Sequence, residues 1–472
     1  MHILSPALDK QHPDPLYVQL YEQIKRDIMN GTIHTGIKLP SIRSLAQHLH
    51  ISRNTVETAY QQLLAEGYII SKPKSGMYVN ELELDIIRQK TLPSPNLQET
   101  SCPAPSPDVI DFEYGSVDMS AFPMKLWKRY SNQAYKQEMK EAASYGHHKG
   151  EYWLRQEIAA YLYHARGVYC SPEQIILTSG TQHSLNLLCE TVLKNCDHFA
   201  IENPGYDRAR YVFENHGFRV TPISLDRDGL SIENLKACGA NIVYVTPSHQ
   251  YPKGMVMPFN RRLELLQWAE ETKGYIIEDD YDGEFRYEGK PIPALKELDQ
   301  QESIIYLGTF SKMLLPSLRI SYIVLPQRLV QTHDTLFEAY ISTVPRVIQH
   351  TLYSFMKDGE WDRHVRRMRL LYQKKHRLLV DSLMGYLEEK VEIIGDKAGL
   401  HLLLKINTPL TEKELIEKAG EFGVRVYSID KYRLFPEKEE KPLLLLGFSQ
   451  IPPDQIEKGV KRLKEAWFGS IK

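Results

Sequence analysis

Cysteine is scarce: the 472 residues hold five (Cys102, Cys170, Cys189, Cys196, Cys238), scattered and without a CxxC pair. That argues against both a disulfide framework and a zinc site, and no metal is expected. No apolar run approaches the roughly 20 residues that a membrane helix needs, and the opening residues, MHILSPALDKQHPDP, lack a basic segment followed by an apolar stretch. The expectation is a cytoplasmic protein, with no membrane partner. Net charge is nearly absent as well, at −2, so composition alone does not announce a nucleic-acid binder. Residues 1–80 carry eight Lys and Arg against six Asp and Glu, a weak asymmetry. There is no internal repeat. What is present is the 42% hydrophobic and 25% charged composition of a folded globular chain, too long for one ordinary core and pointing to two domains.

Residues 1–80 read as one small domain. PLYVQLYEQIKRDIMNG places Leu16, Leu20, Ile24 and Ile28 on one helical face and ends at Gly31. PSIRSLAQHLH offers Ser41 as an N-cap, with Ile42, Leu45, Ala46 and Leu49 on the buried stripe. SRNTVETAYQQLLAEG turns Val56, Ala59, Tyr60 and Leu63 inward and Arg53, Asn54, Thr55 and Glu57 outward. Two helices around a tight turn, followed by strands on either side of Lys-Pro-Lys-Ser-Gly, predict a winged helix-turn-helix. Ser52, Arg53, Asn54 and Thr55 sit at the start of the second helix of that unit, where side chains reach base edges in a major groove. Arg43, Lys72 and Lys74 are candidates for phosphates. The alternative from pattern alone is a helical domain that binds another protein.

Residues 81–108 are rich in Pro, Ser and polar side chains and read as a linker. From 109 to 472 short apolar runs (QIILTSG, HFAIENPG, NIVYVTP, YIIEDDY, SIIYLGTFSK) alternate with helical patterns. The expected fold class is α/β, a mainly parallel sheet flanked by helices. A smaller α+β lobe is expected from about residue 390.

Several of those runs end in residues suited to pyridoxal 5′-phosphate (PLP), which needs an amine, an anion for its ring nitrogen, phosphate donors and a partner for its ring oxygen. Lys312, in GTFSKMLLPSLRISY, is the candidate Schiff-base amine, although a loop lysine is ordinarily just a solvated charge. Period-two alternation in EDDY pairs Asp279 with Tyr281 on one face, for the ring nitrogen and ring oxygen, and leaves Glu278 as the competing anion. LTSGTQ runs from a strand into a helix, so Ser179, Gly180 and Thr181 form a phosphate cradle or, more plainly, an N-capped helix. Thr309, Ser311 and Arg319 are further phosphate donors. Tyr206 follows a Pro-Gly turn from which its ring stacks on a cofactor, and Arg208 is placed to hold a carboxylate. His249 and Gln250 lie in the tight loop TPSHQYPKG, where a lone histidine is ordinarily structural.

The run from PLYVQLYEQIKRDI through KLPSIRSLAQHLHISRNTVETAYQQLLAEGYIISKPKSGMYV resembles the winged-helix domain of the GntR group of bacterial regulators. That resemblance implies that Arg43, Arg53, Asn54, Thr55 and Gly76 lie at double-stranded operator DNA and that two heads read two half-sites. The succession YG-x-x-x-G-x-x-x-LR, SGTQ, NPGY, TPSHQYPKG, EDDY, GTFSK and LRISY resembles fold-type I aminotransferases. Joined to the head, the chain resembles the MocR/GabR group of regulators. That group implies a homodimer with PLP on Lys312, Tyr145 reaching the partner's phosphate, and heads exchanged between subunits.

Aminotransferases of this fold carry an arginine near the C-terminus that grips the substrate α-carboxylate. Alignment of LLLLGFS on Phe448 puts Leu445 there, and an apolar side chain cannot pair with a carboxylate. Regulators of the GabR kind use a basic residue slightly upstream, where this chain has Lys431 in SIDKYRLF, with Arg433 nearby. Ser317 and Ser321 replace glycines common in the enzymes, and TPSHQYPKG lacks the asparagine that enzymes present to the ring oxygen. The expected function is a PLP-dependent transcriptional regulator that senses an amine, an amino acid or PLP itself through Lys312. Its rival is an active aminotransferase with an accessory DNA-binding head.

Overall fold

The computed structural model describes residues 8–9, 12–81, 108–137, 144–287, 293–435 and 441–469. All but the two ends of the expected 81–108 linker lie outside these residues. The chain divides into two compact units between Ala104 and Pro105.

In the first unit, α1 (Leu16–Met29), α2 (Ile42–Leu49) and α3 (Arg53–Ala65) precede a hairpin of β1 (Ile69–Lys72) and β2 (Gly76–Val79). Leu20, Ile24 and Ile28 of α1 pack with Leu45 and Ala46 of α2, Val56, Ala59, Tyr60 and Leu63 of α3, and Val79 of the hairpin. Tyr21 joins that core, which four-residue spacing alone does not reveal. Ser41 and Ser52 cap α2 and α3, accepting from the backbone N–H of Ser44 (3.2 Å) and Thr55 (3.1 Å). Such a cap contributes about 1 kcal/mol. The turn between the two helices is made by His50 in the left-handed region, at φ 51°. A third short strand joins the wing: Leu39 N–H donates to the Met77 carbonyl and Val79 N–H to the Ile37 carbonyl, both at 2.9 Å.

The second unit begins with β3 (Ile110–Asp111) and is built on an eight-stranded sheet. Its strands are β4 (Ile175–Thr178), β5 (His198–Asn203), β6 (Arg219–Asp226), β7 (Gly229–Leu230), β8 (Ile242–Val245), β9 (Tyr275–Asp280), β10 (Ile304–Thr309) and β11 (Ser321–Val324). Their spatial order is β4-β11-β10-β9-β8-β5-β6-β7. The run from β10 to β6 is parallel, and β11 and β7 pair antiparallel with their neighbours. Alternate residues face opposite layers: Ile201, Tyr244 and Ile277 pack against the helices Thr181–Glu190 and Asp207–Asn215. Ala200, Val243 and Ile276 pack against Ile232–Cys238 and Phe259–Thr272. Both faces are thus covered, which is why these strands read as continuous apolar runs.

A smaller antiparallel sheet has the order β12 (Val391–Ile394), β13 (His401–Ile406), β16 (Leu443–Gly447), β15 (Tyr427–Ser428). β14 (Val424–Arg425) instead pairs with β3 from the start of the domain. The terminal lobe therefore includes chain from well before residue 390. Among the described residues, no helix is long and apolar enough to cross a membrane.

Candidate functional site

A cavity of about 300 Å³ opens where the parallel strands end, the usual place for a ligand in a sheet of this kind. Gly180, Thr181, Tyr206, Arg208, Asp279, Tyr281, Thr309, Ser311, Lys312, Arg319 and Lys431 all line it. Residues from six separate segments thus converge on one space. Ser179 is adjacent but not in the lining, and its carbonyl accepts from Arg319 Nη2 at 2.9 Å. Tyr145 is 77% exposed and does not line this cavity.

Strand alternation sorts the EDDY carboxylates. Glu278 points to the far face, accepting from the backbone N–H groups of Leu295 (2.7 Å) and Lys296 (2.8 Å). Asp280 also faces away, in a buried pair with Arg166 at 2.6 Å, and accepts from the Tyr306 hydroxyl at 2.7 Å. Only Asp279 enters the cavity. Its Oδ2 accepts from the Tyr244 hydroxyl, while Oδ1 is buried with no hydrogen-bond partner. Burial pushes its pKa up to about 7, against the lowering effect of the Tyr244 hydrogen bond.

Lys312 follows β10 in a turn, with Nζ 3.8 Å from the centroid of the Tyr114 ring. Desolvation lowers its pKa to about 8, so the amine is far closer to its nucleophilic neutral form than a surface lysine. The Tyr281 hydroxyl donates to the His249 carbonyl at 2.9 Å. His249 is itself buried, with Nδ1 2.8 Å from Asp282 Oδ2, and it does not line the cavity. Gln250 is pinned too, donating to the Pro204 and Tyr251 carbonyls at 2.9 and 2.7 Å.

One end of the cavity suits an anion. Gly180 has φ +110° and begins the helix Thr181–Glu190 with no side-chain cap. A Cβ at Gly180 would collide with the Arg319 guanidinium, so glycine is what lets that cation lie against the helix start. Ser321, in place of a glycine, donates its hydroxyl to Thr309 Oγ1 at 2.8 Å, and Ser311 N–H donates to the same oxygen at 3.2 Å.

At the mouth, Arg208 and Lys431 are exposed. The segment bearing Lys431 is held down by Gly205 N–H donating to the Tyr432 carbonyl (3.0 Å) and Leu434 N–H donating to Asn203 Oδ1 (2.8 Å). Arg433 bonds Asp430 at 3.1 Å and does not line the cavity. Leu445 is 2% exposed, packed with Leu403, Leu443, Ile429 and Tyr251.

Sequence reasoning missed four lining tyrosines, Tyr114, Tyr244, Tyr251 and Tyr432. Tyr251 lies in TPSHQYPKG, just before its Pro-Lys-Gly, and Tyr244 is the one hydroxyl among the apolar residues of β8. Tyr114 and Tyr432 come from the terminal lobe and leave no local signal.

In the first unit, Arg43, Ser52, Arg53 and Asn54 are exposed along α2 and the start of α3, and Thr55 is half-buried. The Ser52 and Thr55 hydroxyls lie 2.8 Å apart, so they hold the start of the helix. Lys72, Lys74 and Gly76 are exposed on the wing, with Gly76 at φ +120°, outside the range of most side chains.

Residues 16–79 match the family model of bacterial regulatory proteins, gntR family, and residues 107–463 match aminotransferase class I and II. The uncharacterized HTH-type transcriptional regulator YdeL of Bacillus subtilis is 43% identical over 98% of this chain and 99% of its own. The probable rhizopine catabolism regulatory protein MocR of Rhizobium meliloti is 33% identical over 98% of this chain and 95% of its own. Among solved structures, the multiple substrate aminotransferase of Thermococcus profundus matches with a TM-score of 0.68 and 26% identity, covering 77% of this chain and 92% of that one. Its fold is that of an aminotransferase. With a gntR-type head in front of that fold, and full-length likeness to regulators of the same build, this chain belongs to the MocR-type family of HTH transcriptional regulators.

Proposed function

We propose that the protein is a PLP-dependent regulator of transcription that acts in the cytoplasm as a homodimer and reads an amine or amino acid through the cavity around Lys312. The observation that carries this reading is the meeting of three things in one cavity. They are the Lys312 amine, the Asp279 carboxylate with one oxygen unpartnered, and an uncapped helix start beside Arg319.

These residues fit PLP. Lys312 would be the attachment point, Asp279 would serve the ring nitrogen, and Tyr206 would supply a face for the ring. Tyr281, with Tyr251, serves the ring oxygen. Gly180, Thr181, Thr309, Ser311 and Arg319, with Ser179 behind them, serve the phosphate, and Tyr145 reaches the partner subunit's site. When bound, PLP supplies an aldehyde that amines condense with and a ring that withdraws electrons. The protein's part is to bring Lys312 closer to its neutral form than a solvated lysine, to offer the Asp279 carboxyl to the ring, and to shield both from water. Arg208 and Lys431 anchor an effector carboxylate at the mouth. Leu445 supports sensing over turnover, because the usual carboxylate clamp is replaced by a side chain committed to the core.

In the head, Arg53, Asn54 and Thr55, supported by Ser52, present to base edges, while Arg43 and the wing around Gly76 approach phosphates. Residues 1–80, the 81–108 linker and 109–472 form the head, tether and effector domain. An effector shifts DNA binding only through different affinities for two arrangements of the heads.

The test is a spectral titration of PLP-loaded protein with a panel of amines and amino acids, with and without operator DNA. A spectral change for one class of amine, accompanied by a change in DNA affinity, is expected. Lys431→Ala should weaken that response while leaving PLP loading intact. Sustained exchange between an amino acid and a keto acid, abolished in Lys312→Ala, would establish the enzyme instead.

A further inference from the structure

Apart from the cavity, two histidines and an aspartate converge where the loop before Tyr152–Arg166 meets the helix Gln327–Phe337. His333 is 1% exposed, and its Nε2 has no hydrogen-bond partner. His148 Nε2 is likewise buried and unpartnered. Asp334 Oδ1 lies 3.6 Å from His148 Nε2 and 3.3 Å from His333 Nδ1. One potential ligand atom from each residue falls within 4.8 Å of the other two. A buried imidazole nitrogen without a partner costs about 1–3 kcal/mol. His148 Nε2 and the hydrogen-bonded His333 Nδ1 both face Asp334 Oδ1, and His333 Nε2 is left without a partner, so the cluster gathers more ligand atoms than its own hydrogen bonds use.

The surroundings suit a metal. Burial pushes the pKa of both histidines down, which favours the neutral, ligating form. Lys149 Nζ holds the other carboxylate oxygen, Oδ2, at 2.8 Å and also donates to the Glu173 carbonyl at 3.0 Å. It thereby orients Asp334 and leaves Oδ1 for the cluster, the part an outer-shell partner plays around a metal. His147 stacks on His148 at 4.3 Å, and its Nδ1 accepts from Lys149 N–H at 3.1 Å, which fixes the first ring. A surface cavity of about 620 Å³ adjoins His148 and Asp334, with Glu338 and Gln331 on its wall, so water can reach a fourth position.

We propose that His148, His333 and Asp334 form a site for a late first-row divalent cation, zinc(II) being the probe, with water as the remaining ligand. Two imidazoles and one carboxylate select such ions over calcium or magnesium, which require oxygen ligands. The site ties the loop that carries Tyr145 to the helix leaving β11, and so braces a segment assigned above to the dimer partner.

The experiment uses full-length protein stripped with a chelator and titrated with zinc chloride against a chromophoric chelator. One tightly bound zinc per chain is expected. His148→Gln, His333→Gln and Asp334→Asn should each weaken it by at least about tenfold, since even outer-shell partners are worth 10–100-fold. His333 is deeply buried, so His148→Gln, at a half-buried position, is the decisive variant, with far-UV circular dichroism as the check on folding. Cobalt(II) should give ligand-field bands without thiolate charge transfer. Absence of a tight zinc, unchanged affinity in His148→Gln, or a thiolate band that places the ion on cysteine would each overturn the proposal.

Discussion

In the head, the residues offered to DNA stand in solvent on a framework whose core is wholly apolar apart from tyrosines: Arg43, Arg53 and Asn54 are exposed, and Leu45, Val56 and Leu63 hold them from beneath. In the cavity, chemistry and framework are the same residues. Asp279 is 5% exposed and carries a pKa raised to about 7, and Lys312 is brought down to about 8. Exposed charges suit a surface that meets a polyanion, whereas burial makes the charges in the cavity conditional. Mutations should therefore separate cleanly, with head variants changing DNA binding alone and cavity variants changing first the cofactor and only then the response.

The largest effect is expected from Lys312→Ala. Among the described residues it removes the only lysine lining the cavity besides Lys431, and covalent PLP attachment should vanish, read as complete loss of the lysine-bound absorbance band. DNA binding without effector should persist. If that binding collapses as well, head and cavity are not the separate systems the comparison describes.

Next comes Arg53→Ala, expected to weaken operator binding by about 1–3 kcal/mol, roughly fivefold to 160-fold, with an unchanged PLP spectrum. The salt dependence distinguishes its role. A base contact leaves the slope of log affinity against log salt unaltered and relaxes specificity at one position, whereas a phosphate contact lowers the slope by about one. Unchanged binding would remove α3 from the groove.

A third expectation concerns pH. The neutral amine is the nucleophile, and the pKa of Lys312 is lowered to about 8, chiefly by desolvation. The rate of covalent PLP attachment should therefore climb roughly tenfold per pH unit below 8 and level off above it. Climbing that continues toward pH 10 in stopped-flow measurements would mean a solvated lysine.

How much of this was legible in the sequence follows the same division. In the head, periodicity identified the helices, the cap at Ser41 and the inward faces, because each is a local pattern, whereas the cap at Ser52 came only with the structure. In the cavity, alternation within one strand was enough to separate Asp279 and Tyr281 from Glu278. The sequence could not show that Tyr114 stands over Lys312, or that β3 pairs with β14 in the terminal lobe, because those contacts join parts of the chain about 200 and 300 residues apart. The hidden part is the tertiary surround, and it sets the pKa values.

The smallest effect should come from Tyr244→Phe, which tests whether that surround matters. The hydroxyl donates to Asp279 Oδ2 and lowers a carboxyl pKa that burial raises to about 7. Without it, both oxygens lack a donor and the pKa rises further, so at neutral pH less of Asp279 carries the charge proposed to serve the ring nitrogen. PLP affinity should fall by about 1 kcal/mol, a factor on the order of five. Because the loss arises from protonation, it should shrink as pH is raised above the new pKa. A loss independent of pH would mean that Tyr244 only packs, and the conditional charge on Asp279 would then depend on burial alone.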